Sequence, residues 1–184
     1  MSNLADRGAG ALDASEVTEL ILADHAEMER LLRQLRDDRE DRDAVLRDLA
    51  DLLVGHAEAE EDVVYPTLER KADDEETEEE VAHGEEEHAE INEALLAVLE
   101  VGDTTGEDFD EKLEELGEMV HHHLSEEERN VLNPARDNVS PQKRAALGET
   151  FLEARRGLLA SHPGEVDKVR QLVEEAEQEG LLDD

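Results

Sequence analysis

The stretch FDEKLEELGEMVHHHLSEE, residues 109–127, steps through Phe109, Leu113, Leu116, Val120, His123 and Glu127 at intervals of four and three. That spacing returns to one face of an α-helix at every step, so these side chains form a single inward stripe. The stripe begins apolar and ends on a histidine and a glutamate. A buried imidazole or carboxylate costs free energy unless something pairs with it. The far end of this helix therefore needs partners from elsewhere in the chain.

Such partners occur in a repeated pattern. His56-x-x-x-Glu60 has the same form as His123-x-x-x-Glu127, and each is followed by a second glutamate, two apolar residues and a proline, Pro66 or Pro134. Upstream of each lies a lone histidine in matching surroundings. One is His25-Ala26-Glu27-Met28 with Leu32, the other His88-Ala89-Glu90-Ile91 with Leu95. The order, a lone His and then a His-x-x-x-Glu, is the same both times.

The flanking periodicity predicts the helices that carry these residues. A capping pattern at Asp13-Ala14-Ser15-Glu16 opens a first helix to about Asp38, with Val17, Ile21, His25, Met28, Leu32 and Leu35 on one face. The second runs from about Asp41 to Tyr65, with Val45, Leu49, Leu52 and Val63 inward, and Pro66 ends or kinks it. A charged connection over residues 73–80 leads to a third helix, about Glu76 to Val101, which carries Val81, His88, Ile91, Leu95 and Val98. Gly102-Asp103-Thr104-Thr105-Gly106 reads as a loop, and the fourth helix follows from about Asp108 to Val131. Ser140-Pro141 opens a fifth. After His162-Pro163-Gly164 an amphipathic segment carries Val166, Val169, Leu172, Val173 and Ala176.

The fold class expected is all-α: an up-down-up-down four-helix bundle built from two similar helical hairpins, with a fifth helix across one end or flank. Residues 1–12 read as a loose lead-in, 13–163 as the bundle domain, and 164–184 as a C-terminal helix with an acidic end.

Composition agrees with this class and limits the partners. Aromatic residues are confined to Tyr65, Phe109 and Phe151, while helix formers abound. The net charge of −36 repels nucleic acid and anionic membrane, so neither is an expected partner. That charge suits a solvated surface or a high-salt interior, where screening eases self-repulsion. No cysteine is present, which removes disulfides, thiolate metal sites and iron–sulfur clusters. With no leader pattern and no apolar run of membrane-spanning length, a cytoplasmic location is expected.

Six polar residues at inward positions of four helices point to cations. Four imidazoles and two carboxylates exceed what one tetrahedral zinc accepts, and they suit iron, manganese or zinc better than calcium or magnesium. Two octahedral ions use the set fully: Glu60 and Glu127 bridge, each ion takes two histidines, and an oxo or hydroxo group joins them. A lone histidine on an apolar face is ordinarily a core residue, and the duplication is what raises His25 and His88 above that. By position, His121 and His122 fall off the inward face, His83 falls outside the ligand set, and His162 has no expected role. Glu61 and Glu128 point outward, toward solvent, and Tyr65 is a packing residue or a hydrogen-bond donor from behind the ligands.

The segments LILADHAEMERLL, HAEAEEDVVYPTL, EEEHAEINEALL and HHLSEEERNVLNP, in this order, resemble the hemerythrin-like, or HHE cation-binding, family. With SPQKRAALGETF the resemblance spans roughly Ala14 to Pro163. It implies a four-helix bundle around a non-haem di-iron centre that binds oxygen or reacts with nitric oxide or peroxide. Carried over by position, it implies His25, His56, Glu60, His88, His123 and Glu127 as the metal ligands. Oxygen-carrying members have a further histidine four residues before or after the one on the third helix, where this chain has Gly84 and Asn92. Glu85 is the nearby residue that could substitute.

That gap moves the expected function from oxygen carriage toward chemistry on a small oxidant, with catalase-like peroxide decomposition favoured. A sensor of iron or oxygen, a metal-binding module without catalysis, is the alternative. A metal-free structural protein is the third reading, and the inward placement of six polar groups opposes it.

Overall fold

The computed structural model describes residues 16–37, 39, 41–72 and 75–182, and every regular element among them is helical. The lead-in and Asp13–Ser15 of the capping pattern lie outside the described residues. Helix α1 spans Val17–Leu35. Glu16 occupies its N-cap position without a capping bond, because its carboxylate is taken by Arg144 at 2.7 Å and by the Thr18 hydroxyl at 3.0 Å. Helix α2, Arg42–Ala59, is capped by Asp41, whose side chain accepts the Ala44 N–H.

Pro66 does not end the second helix. A π-helical turn over Glu60–Val64 follows α2, and α3 continues over Tyr65–Ala72. Proline lacks an N–H, and its ring crowds the carbonyl four residues back. The wider turn, closed by the Tyr65 N–H on the Glu60 carbonyl, relieves that crowding and lets the rod run on. The extra residue also shifts the face. Val64 rather than the expected Val63 is buried.

The second half repeats this device. Helix α4 spans Glu75–Val101, and Asp73 and Asp74 of the expected connection lie outside the described residues. Helix α5, Glu107–Glu127, leads into a π-turn over Glu128–Leu132 and then α6, Asn133–Asn138. Here the Asn133 N–H closes the turn on the Glu128 carbonyl. The fourth rod therefore also outlasts its expected end at Val131. Each proline stands second after its π-turn, whereas Glu60 lies inside the first turn and Glu127 just before the second, so the turn keeps its register with the proline rather than with the ligand glutamate.

Helix α7, Pro141–Ala160, packs on α1 and α2, and α8, Val166–Glu179, packs on α4. The turn between them is pinned to α2: Asp51 accepts the Gly164 N–H at 3.0 Å and pairs with His162 Nδ1 at 2.8 Å. Among the described residues no helix is long and apolar enough to cross a membrane.

Two apolar clusters form the core. One gathers Met28, Leu32 and Leu35 of α1, Leu46, Leu49 and Leu53 of α2, Ile91, Leu95 and Val98 of α4, and Phe109, Leu113 and Val120 of α5. The other gathers Val17 and Ile21, Ala59 and Val64, Val81, Val131 and Leu132, with Phe151 and Leu152 from α7. Each fully buried leucine or phenylalanine contributes about 1.5–3 kcal/mol. Between the clusters, on all four long rods, lies a layer of buried polar residues.

Candidate metal centre

That layer holds all six residues expected as ligands. His25 comes from α1, His56 from α2, Glu60 from the first π-turn, His88 from α4, and His123 and Glu127 from α5, and all six are buried. They form two groups whose ligand atoms lie within 4.8 Å of one another. His25, His56, Glu60 and Glu127 make the first, and Glu60, His88 and His123 the second. Glu60 belongs to both. His56 Nε2 and His88 Nε2 stand 3.3 and 3.6 Å from Glu60 Oε2, and His25 Nε2 stands 3.0 Å from Glu127 Oε2.

Each of the four histidines turns its other ring nitrogen to a carboxylate. His56 Nδ1 meets Asp24 at 3.3 Å, His123 Nδ1 meets Glu87 at 2.9 Å, His88 Nδ1 meets Glu61 at 2.7 Å, and His25 Nδ1 meets Glu128 at 3.1 Å. An ionised carboxylate only accepts, so Nδ1 carries the proton and Nε2 is left with a lone pair in the neutral ring. Asp24 is itself held by Arg155.

These four acids were missed as site residues, and Glu61 and Glu128 are not merely solvated. A signal was available: an acid directly precedes each lone histidine (Asp24, Glu87), and an acid directly follows each ligand glutamate (Glu61, Glu128). Asp24 and Glu87 hold the histidine of their own half. Glu61 and Glu128 hold the lone histidine of the other half.

Electrostatics within the layer are split. Burial pushes His56 down to about 4, against the pull of Asp24, and it likewise lowers His123 against Glu87. Burial would also lower His25, but Glu127 and then Glu128 outweigh it and raise its pKa. Burial pushes Glu60 well above the usual carboxylate range, and the facing Glu127 adds to the shift. Glu127 is driven the other way, because its neighbour His25 outweighs the burial penalty. For Asp24, too, burial opposes ionisation, and His56 and Arg155 reverse it, leaving the carboxyl below its ordinary value.

The donor set fits cations on a direct observation. His88 Nε2 and His123 Nε2 face each other at 3.1 Å, although both rings already donate through Nδ1. Two lone pairs at that separation repel unless a shared proton or a metal ion lies between them. Neighbouring ligands on an octahedral ion with bonds of ~2.1 Å stand ~3.0 Å apart. The inward atoms His25 Nε2, His56 Nε2 and all four oxygens of Glu60 and Glu127 are buried without a hydrogen-bond partner; His25 is near Glu127 but not aligned for one. Buried polar atoms in such number require compensation.

Tyr65 closes the layer. Its ring stacks on His88, 5.8 Å between centroids and 8° from parallel, and its hydroxyl is buried without a partner. A Cβ on Gly84 would lie 2.7 Å from that hydroxyl. The space a side chain at position 84 would need is thus filled by tyrosine from another helix. On the other side His56, His88 and His123 line a small pocket with Met28, Leu53, Ile91, Asn92, Val120 and Leu124. The centre of a water-sized sphere has about 10 Å³ there, room for one very small molecule.

The remaining histidines stay outside both groups. His121 Nδ1 bonds the Gly117 carbonyl, His162 serves the α7–α8 turn, and His83 and His122 face each other's glutamates across α4 and α5. A family model described as hemerythrin HHE cation binding domain matches residues 16–135, about two thirds of the chain. No curated protein and no solved structure matches it.

Proposed function

The chain belongs to the hemerythrin HHE cation-binding domain family, and from that premise we propose that it is a non-haem di-iron protein that meets a small oxidant in the pocket beside His88 and His123. His25 and His56 would hold one ion, His88 and His123 the other, with Glu60 shared and Glu127 completing the set. The observation that carries the reading is the 3.1 Å approach of His88 Nε2 to His123 Nε2 inside the buried layer. An all-imidazole and carboxylate donor set suits iron. The alternation of the two apolar clusters along α1, α2, α4 and α5 supports an up-down-up-down course for the four long rods.

Bound iron would supply redox chemistry and an open position for oxygen, nitric oxide or peroxide. The chain's own residues do the rest. Asp24, Glu61, Glu87 and Glu128 fix the imidazoles with Nε2 inward. Met28, Leu53, Ile91, Val120 and Leu124 keep bulk water from the pocket, whose size limits the ligand to a few atoms. Tyr65 offers a hydroxyl proton next to the layer, and burial followed by the charges of Glu60 and Glu127 keeps it protonated. Peroxide decomposition is the favoured reaction, because Gly84 and Asn92 occupy the two positions, four before and four after His88, where an oxygen carrier has its further histidine.

Metal analysis of the purified protein tests the centre. The expected result is two irons per chain, lost in His56→Ala; a variant that keeps both irons refutes the assignment. Adding peroxide while following evolved oxygen tests the reaction, and no oxygen above a His56→Ala control rejects peroxide decomposition.

A further inference from the structure

We propose that His83, Glu87, His122 and Glu126 form a separate surface site for a borderline divalent cation of the zinc type, outside the buried layer and joined to it through Glu87. Two further His-x-x-x-Glu steps stand on neighbouring helices, His83 to Glu87 on α4 and His122 to Glu126 on α5. The second is displaced by one residue from His123 and Glu127, so it faces out of the bundle rather than in. Across the α4–α5 contact the two steps meet.

The distances are those of ligands rather than of hydrogen bonds. His83 Nε2 lies 3.7 Å from Glu87 Oε1 and 3.4 Å from Glu126 Oε2. His122 Nε2 lies 3.7 and 3.8 Å from the same two oxygens. All four exceed the usual N–H···O range of ~2.7–3.2 Å. The two His83 distances approach the ~3.4 Å edge of a tetrahedron built on bonds of ~2.1 Å, while His122 reaches both carboxylates from outside that compact group. His83, Glu87 and Glu126 already bring one ligand atom each within 4.8 Å of one another.

Both carboxylates are held in place by their second oxygen. Glu87 is buried, and its Oε2 accepts from His123 Nδ1 at 2.9 Å, which leaves Oε1 to face the two surface histidines. Glu126 Oε1 accepts from Arg129 at 3.0 Å, which leaves Oε2 for the same direction. This is the arrangement seen in the buried layer, where an outer partner aims each inner ligand. Two imidazoles and two carboxylates select a borderline cation over magnesium or calcium, which prefer oxygen alone. Glu87 is also the shared member, since a cation on Oε1 draws on the carboxylate that orients His123.

Equilibrium dialysis of the full chain against zinc, with magnesium in large excess to occupy plain carboxylate surface, reads the site directly. His83→Ala/His122→Ala should bind one zinc fewer per chain than the native protein. Both replaced side chains are exposed, at 49% and 67%, so the fold is not at stake. Equal zinc counts would overturn the proposal. Repeating the pair in a His56→Ala background separates it from the buried centre: the difference of one zinc should persist, and its disappearance would place that ion in the buried layer instead.

Discussion

Replacing Glu60 by glutamine should move the metal-free and metal-loaded proteins in opposite directions. Glu60 is fully buried, neither oxygen has a hydrogen-bond partner, and a second carboxylate faces it. A carboxyl whose proton affinity burial has raised must either keep its proton or ionise out of water. A neutral amide of the same shape removes that cost, about 1.4 kcal/mol for each tenfold change in proton affinity. Taking about 2 kcal/mol, the melting temperature of the metal-free variant should rise by about 4–8 °C for a chain of this size.

With metal the order reverses. An ion present at a thousandfold excess over its Kd stabilises the folded state by about 4 kcal/mol, and Glu60 belongs to both ligand groups. The native protein should gain that much for each ion and the variant little. The pH dependence has a definite sign. The folded-state pKa of Glu60 is raised, so its favourable contribution is full below the ordinary value of 4.5 and is lost as pH rises toward the folded value. The variant lacks that loss, and its advantage in chelator should be larger at pH 8 than at pH 5. Thermal unfolding with chelator and with excess metal, at both pH values, measures all four quantities. A variant that melts below the native protein in chelator at pH 8 would show that Glu60 is not strained without a cation, and the argument would fail.

Asp24→Asn should weaken metal binding about 10–100-fold with the helices intact, because it removes the ionised acceptor that holds His56 and pairs with Arg155; competition against a chelator of known affinity checks this. Gly84→Ala should cost about 1–3 kcal/mol through the 2.7 Å approach to the Tyr65 hydroxyl, offset in part by a helix-propensity gain of about 1 kcal/mol. In a Tyr65→Phe background the same change should cost less, and denaturant unfolding of the four metal-free proteins gives the coupling directly.

Much of the site was legible because helical periodicity and duplication are local properties. Phe109 to Glu127 step along one face whatever the helix packs against, and His25, His56, Glu60 and His88 fall on equivalent faces. The register beyond Glu60 was not legible. Whether Pro66 stops a helix or is absorbed by a π-turn depends on what the continuing rod can bury, and there Val64 and Tyr65 reach the second apolar cluster. Asp24, Glu61, Glu87 and Glu128 showed a repeated position, but their partners lie on other helices.

The sequence by itself determined that this chain is helical, that its halves correspond, and which six polar residues face inward, because a 3.6-residue repeat places side chains without reference to distant contacts. Only the tertiary structure decided which nitrogen each histidine offers, that Tyr65 fills the space beside Gly84, and that His83 and His122 meet Glu87 and Glu126 across two helices. Those outcomes depend on how separate helices are rotated and spaced against each other. Periodicity along one helix carries no record of that.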